Sequence, residues 1–172
     1  MPLLLTLSGS LRDASSNTAL LEAARLLCPE GLTMASYNGI RHLPHFDPDL
    51  DAEPPQEVLE LRERIAQADG LLISCPEYAR GIPGAFKNAL DWLVSCEDFS
   101  GKPFALLNAS PRASHAQAAL RLVLETMAAR IVGPASISVN LLAKGATAAQ
   151  IAADPLIAPV LTAALEAFKA EL

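Results

Sequence analysis

A chain of 172 residues, 51 % hydrophobic and 19 % charged, carries enough apolar material for a packed core and too little polarity for a disordered chain. Its formal net charge of −6 excludes the broad basic face that nucleic acids require, so any anionic ligand must be held by a local site. Three cysteines (Cys28, Cys75, Cys96) with no CxxC pair argue against a disulfide framework and suit a reducing compartment.

No basic leader precedes the first apolar run, and that run is too short for a signal peptide or a membrane span. A soluble cytoplasmic protein is expected, with neither membrane nor nucleic acid as partner. In chain order, "LLLTLSG" (Leu3 to Gly9) reads as a first strand. A polar loop follows it, and a helix begins at Asn17. "LTMASYN" (Leu32 to Asn38) is a weaker second strand. The acidic, proline-rich "HLPHFDPDLDAEPP" (His42 to Pro55) then forms a long loop on the carboxyl side of that strand, on the rim where such sheets bind ligands. "QEVLELRERIAQAD" (Gln56 to Asp69) reads as a helix and "GLLISCP" (Gly70 to Pro76) as a third strand. In "IPGAFKNALDWLVS", Pro83 suits a first helical turn, and Phe86, Ala89, Leu90, Leu93 and Val94 share one face. "KPFALLNAS" (Lys102 to Ser110) is a fourth strand, His115 to Ile131 a helix, "ASISVNLL" (Ala135 to Leu142) a fifth strand, and about Pro159 to Leu172 a last helix.

The strand runs are apolar at both parities, which indicates strands covered on both faces. Strand and helix alternate five times, giving an α/β doubly wound parallel sheet with right-handed crossovers in one domain over residues 1–172. No internal repeat and no Pro-, Gly- or Ser-rich linker divides the chain.

The loop "SGSLRDASSN" (Ser8 to Asn17) holds far more hydrogen-bonding groups than a chain reversal requires. At the carboxyl edge of the sheet it would lie over a helix N-terminus, whose free N–H groups and dipole attract an anion. Gly9 would let the backbone approach that anion. Ser10, Ser15 and Ser16 add hydroxyls, Asn17 an amide, and Arg12 a guanidinium that can fork onto phosphate oxygens. Neither GxxxxGK[ST] nor GxGxxG is present, so the loop fits one terminal phosphate rather than a triphosphate or a pyrophosphate. Plain helix capping by Ser16 or Asn17 is the competing explanation.

If the third strand neighbours the first across a topological switch point, Pro76, Glu77 and Tyr78 face that loop over a cleft. Proline stiffens the turn, and "RGIPG" permits a close approach of backbone groups to the edge of a planar heterocycle. Together, "GSLRDASSN" and "PEYARGIPGAFKNALDW" resemble the NADPH-dependent FMN reductase family of small quinone, azo-dye and chromate reductases, most strongly from residue 3 to about 110. The resemblance implies a flavodoxin-like five-stranded sheet of order 2-1-3-4-5. It also implies that Ser10, Arg12, Ser15 and Asn17 bind the FMN phosphate, with Ser16 among the same donors. Pro76, Glu77 and Tyr78 would lie along the isoalloxazine, flanked by Ala79 and Arg80, and the loop after the fourth strand, with Ser110, would close the far side. Two departures stand out: Ala79 replaces the asparagine common after PEY, and "NASPRASHAQ" (Asn108 to Gln117) has no glycine where the family usually has several.

Other residues carry plainer readings. His42 and His45 lack a third ligand, and no metal site is assigned. His115 reads as a solvated or capping residue, Cys75 as a buried thiol, and Glu77 has no partner carboxylate or base for acid–base work. Trp92 falls off the core stripe, beside Ala85 and Asn88, which points to cover by a partner subunit; a homodimer or tetramer is expected. The leading expectation is an oxidoreductase that passes hydride from NADPH or NADH through FMN to a quinone, azo compound or similar acceptor, with no amino-acid catalyst. Arg12 and Arg80 are candidates for meeting the 2′-phosphate of NADPH. The alternatives are a flavodoxin-like electron carrier and a flavin-free binding or regulatory module of the same fold.

Overall fold

In the computed structural model, which describes residues 1–141 and 145–172, the strand-forming runs join into a parallel sheet. Strands β1 (Leu3–Ser8), β2 (Thr33–Tyr37), β3 (Gly70–Ser74), β4 (Pro103–Asn108) and the short β5 (Arg130–Ile131) lie in the order β2-β1-β3-β4-β5, as expected. A sixth strand, β6 (Ile137–Ser138), also pairs with β4. The single fifth strand expected over 135–142 is therefore replaced by two pieces, β5 beside Pro103 and Phe104, and β6 beside Leu107 and Asn108. The ladder breaks at a 3-10 turn, Gly133–Ala135, where Pro134 has no N–H to give. Pairing continues beyond β6, where the N–H groups of Val139 and Leu141 donate to the carbonyls of Asn108 (2.8 Å) and Ala109 (3.0 Å). Leu142, the last residue of the expected strand, lies outside the described residues.

The helices are α1 (Ser16–Leu26), α2 (Gln56–Gln67), α3 (Gly84–Leu93), α4 (Ser114–Thr126), α5 (Ala148–Ala152) and α6 (Ala158–Lys169). Successive strand side chains point to opposite faces. Leu5, Leu7, Leu71, Ile73 and Phe104 pack against Val58, Leu61, Phe86, Leu90 and Leu120 of α2, α3 and α4. Leu4, Leu72, Ala105 and Leu107 pack against Leu20, Ala24, Ile151, Leu161 and Phe168 of α1, α5 and α6. Both faces are cores, which is why the strand runs are apolar at both parities.

One expectation about the faces changes, and one helix adds to those expected. Trp92 is fully buried, but its cover is intramolecular: Phe46 meets it edge-on at 5.0 Å, and its Nε1–H donates to the Pro44 carbonyl at 2.9 Å. Asn88 fixes the same loop by donating to Pro44 O (2.9 Å) and accepting from Phe46 N–H (2.7 Å). The His42–Pro55 loop therefore caps α3 and takes no part in the cleft described below, and Trp92 gives no evidence of a partner subunit. The added helix is α5, whose sequence signal is a capping box: Thr147 accepts from Gln150 N–H, and Gln150 reaches back to Thr147 N–H.

Helix α4 stops at Thr126 rather than Ile131 because the chain turns left-handed at Ala128 (φ 62°). The Ala129 N–H then returns to the Leu124 carbonyl at 3.0 Å, a Schellman closure with alanine where glycine is usual. Ala128→Gly should therefore raise stability by about 1 kcal/mol by removing the left-handed penalty, visible as a higher urea midpoint at unchanged m-value. A lower midpoint would contradict the strain.

Candidate functional site

The carboxyl ends of β1, β3 and β4 open onto a cleft of about 560 Å³, within the usual range for small-ligand sites. It lies at the switch point of the strand order, between β1 and β3. Its walls are the loop after β1 (Ser10 to Asn17), the loop after β3 (Cys75 to Tyr78) and the loop after β4 (Asn108 to Ala113), with Leu141 and Gly145 at the far edge.

At the first wall, Ser15 is the N-cap of α1, its Oγ accepting from Thr18 N–H at 3.4 Å. Capping therefore takes Ser15, not Ser16 or Asn17. The N–H groups of Ser16 and Asn17, in the first turn, have no helical acceptor and face the anion-attracting end of the helix. Asn17 is buried, and its Oδ1 accepts from the fully buried Ser74 hydroxyl at 2.9 Å. That bond holds the carboxamide in place and leaves its NH₂ group as the donor end. Ser10 Oγ accepts from Arg12 N–H (3.3 Å), and Ser10 N–H donates to Ser8 Oγ (3.3 Å), so the loop is shaped by its own serines. Among the described residues the Arg12 guanidinium makes no ion pair. Gly9 serves a different purpose from the one expected: a Cβ there would lie 2.7 Å from Cys75 Sγ, so the glycine lets β1 and β3 close up rather than admitting an anion.

The second wall contains Pro76, Glu77 and Tyr78, as expected. Ala79 and Arg80 do not line the cleft; they form the tip of a tight hairpin in which Tyr78 and Gly81 exchange backbone bonds of 3.1 and 2.9 Å. Both tip residues are left-handed (φ 49° and 61°), a conformation that favours Asn or Gly. The asparagine common in the family at position 79 thus has a backbone rationale, and Ala79 forgoes it. Cys75 is 1 % exposed, and burial pushes its thiol up to about 12, which keeps it protonated near neutrality and rules out a resting thiolate nucleophile. Glu77 Oε2 accepts from the Ala116 N–H of α4 at 2.9 Å.

The third wall repeats the construction of the first. Asn108 Oδ1 accepts from Ser110 N–H (3.1 Å), and Ser110 Oγ accepts from Arg112 N–H (3.3 Å), matching the bonds at Ser8, Ser10 and Arg12. Ser110 lines the cleft as expected, and so does Arg112, which the sequence reading passed over. The signal was the echo of "SLR" (10–12) in "SPR" (110–112). This ordered loop needs no glycine. His115 is exposed and lies off the cleft, and among the described residues no group of three or more His, Cys, Asp or Glu is placed to hold a metal ion.

Comparison with known proteins agrees with this geometry. The family model for NADPH-dependent FMN reductase matches residues 2–143. A quinone reductase of Escherichia coli (strain K12) is 37 % identical over 109 residues, covering 61 % of this chain and 58 % of that protein. An NAD(P)H-dependent FMN reductase of Pseudomonas aeruginosa is 42 % identical over 111 residues, again 58 % of its length. The chain thus spans less than two thirds of the curated relatives it matches. Among solved structures, a flavoenzyme NAD(P)H:(acceptor) oxidoreductase from Paracoccus denitrificans superposes with a TM-score of 0.77 at 29 % identity, covering 98 % of this chain and 95 % of that one. With the family model matching residues 2–143 and the sheet in the order β2-β1-β3-β4-β5, the chain belongs to the NADPH-dependent FMN reductase family.

Proposed function

We propose that this chain is a one-domain, NAD(P)H-dependent FMN oxidoreductase that reduces a quinone, an azo compound or a similar small acceptor. The observation that carries the reading is the donor cluster at one end of the cleft. Ser10, Arg12, Ser15, Ser16 and Asn17 gather there at the N-terminus of α1, while the rest of the cleft mixes apolar residues (Pro76, Ala109, Ala113, Leu141) with Glu77, Tyr78, Asn108, Ser110 and Arg112. These residues suit a phosphomonoester, and Pro76, Glu77, Tyr78 and Ser110 suit the walls of a slot for a planar ring. When bound, FMN supplies the redox chemistry, accepting hydride from a nicotinamide and passing electrons to the acceptor. The protein's part is to hold the ring, leave one side of it open and admit one planar partner at a time. Arg112, on the cleft wall, replaces Arg80 beside Arg12 as a candidate for the 2′-phosphate of NADPH. No helix among the described residues is long and apolar enough to cross a membrane, and the unpaired cysteines suit a reducing cytoplasm.

Because both redox partners need the same open side of the slot, the first product must leave before the second substrate enters. Initial rates of the FMN-loaded protein at several NADPH and benzoquinone concentrations should give parallel double-reciprocal lines. Intersecting lines would mean that both substrates bind together.

A homodimer is also proposed, on grounds other than Trp92. A groove of about 580 Å³ runs between α3 and α4, away from the cleft, with Val94 and Leu122 on its rim 67 % and 66 % exposed. Large apolar side chains grouped in this way are normally covered by a partner, and a second copy of the chain fits that role. Light scattering at micromolar protein should return twice the chain mass, and Leu122→Glu should halve it. A monomer mass for the unmodified protein would contradict the proposal.

A further inference from the structure

Helix α4 begins without a cap of its own. Its N-cap position is Ala113, which has no side-chain acceptor, yet the helix runs for 13 residues and has an N-terminal dipole to neutralise. The acceptor comes from another loop, 39 residues earlier in the chain: Glu77 Oε2, 2.9 Å from the N–H of Ala116 in the first turn. Ala116 is fully buried, so with the carboxylate in place its N–H is shielded from water and Glu77 is its acceptor. A neighbouring tie runs the same way, with Gln117 Nε2 donating to the Cys75 carbonyl at 3.4 Å. The two contacts flank Pro76, whose ring fixes φ between them.

We propose that Glu77 is a positioning residue. Its carboxylate caps α4 across the cleft and thereby holds the loop after β3 and the loop after β4 at a fixed separation, setting the width of the slot for the flavin ring. This inference rests on the functional reading above for the identity of the ligand, but the cap itself does not. The loop after β4 is itself closed at the turn that leads into α4, where Ala113 N–H donates to the Ser110 carbonyl (2.9 Å). Glu77 lines the cleft, and one of its carboxylate oxygens, Oε2, is engaged by the helix. Its contribution is therefore to the shape of the ring end, and the phosphate end does not depend on it.

The test uses lumiflavin, which has the ring without the ribityl phosphate, alongside FMN. Glu77→Ala should weaken both by the same factor, roughly tenfold, the size of a lost helix cap. Glu77→Gln, whose amide oxygen still accepts the Ala116 bond, should recover most of the loss. In flavin-free protein, hydrogen exchange at the Ala116 amide should be roughly tenfold faster in Glu77→Ala than in wild type, again by the loss of one cap. The double variant Glu77→Ala/Ala113→Ser gives α4 a local cap without the link across the cleft, and guards against a single variant that does not fold. It should restore Ala116 protection but leave lumiflavin binding weak. Recovery of lumiflavin binding in that double variant would reduce Glu77 to ordinary helix stability and overturn the proposal, as would unchanged exchange at Ala116 in Glu77→Ala. If wild-type protein bound neither flavin, the functional reading would fail, and the exchange measurement would still decide the cap.

Discussion

The cleft exists because β1 and β3 are clasped at their carboxyl ends. Gly9 N–H donates to the Ser74 carbonyl at 2.8 Å, one residue past the end of β1, and the Ser74 hydroxyl reaches over to Asn17 at the start of α1. Only glycine fits at position 9, since any Cβ would strike the Cys75 sulfur. This contact fixes three things together: the exit of the first loop, the exit of the second, and the orientation of the Asn17 amide between them. A buried hydroxyl–amide bond of this kind costs more to break than it contributes when formed, because both partners would then be buried without an acceptor or donor. The walls of the cleft are thus set by the sheet itself.

The electrostatics follow from the same frame. The whole chain carries a formal −6, yet the cleft presents Arg12, Arg112 and the N-termini of α1 and α4. Among the described residues its one carboxylate, Glu77, accepts from an N-terminal N–H of α4 and so offsets the positive end of that helix. The acidic groups lie elsewhere. Asp51, for example, is tied to Arg62 and Ser95 beside α3, and those hydrogen bonds hold its carboxyl below the usual carboxylate range. An acidic protein can in this way offer a local site for a phosphate without a basic surface.

Much of this was legible in the chain, because the relevant forces act over short sequence distances. Apolar residues at both parities in Leu3 to Leu7 and Gly70 to Ser74 require two covered faces, and the helices between them leave a doubly wound sheet as the arrangement that supplies them. The donors of Ser10 to Asn17 stand in one loop, so their convergence needed no tertiary knowledge. What escaped was long-range or against propensity. Glu77 and Ala116 share no local pattern, and the cover over Trp92 comes from Pro44 and Phe46 in an acidic, proline-rich loop whose place in the chain suggested the ligand-binding rim. The end of α4 at Ala128 uses a left-handed alanine that no propensity would choose. The split of the fifth strand follows from Gly133 and Pro134, whose punctuation was present but ambiguous between a strand start and a break. Arg80 was placed by charge alone, and the hairpin turned it away from the cleft.

The account depends most on the loop after β1 being a phosphate site, and paired titrations with FMN and riboflavin, followed by flavin fluorescence, test that directly. Riboflavin has the same ring and lacks only the phosphate, so the difference between the two affinities isolates the loop. Wild-type protein should prefer FMN, and Arg12→Ala should weaken FMN by about 1.5–3 kcal/mol, the range for a charge-assisted hydrogen bond, while leaving riboflavin unchanged. Equal affinity for the two flavins in wild-type protein, or an FMN affinity indifferent to Arg12, would contradict it.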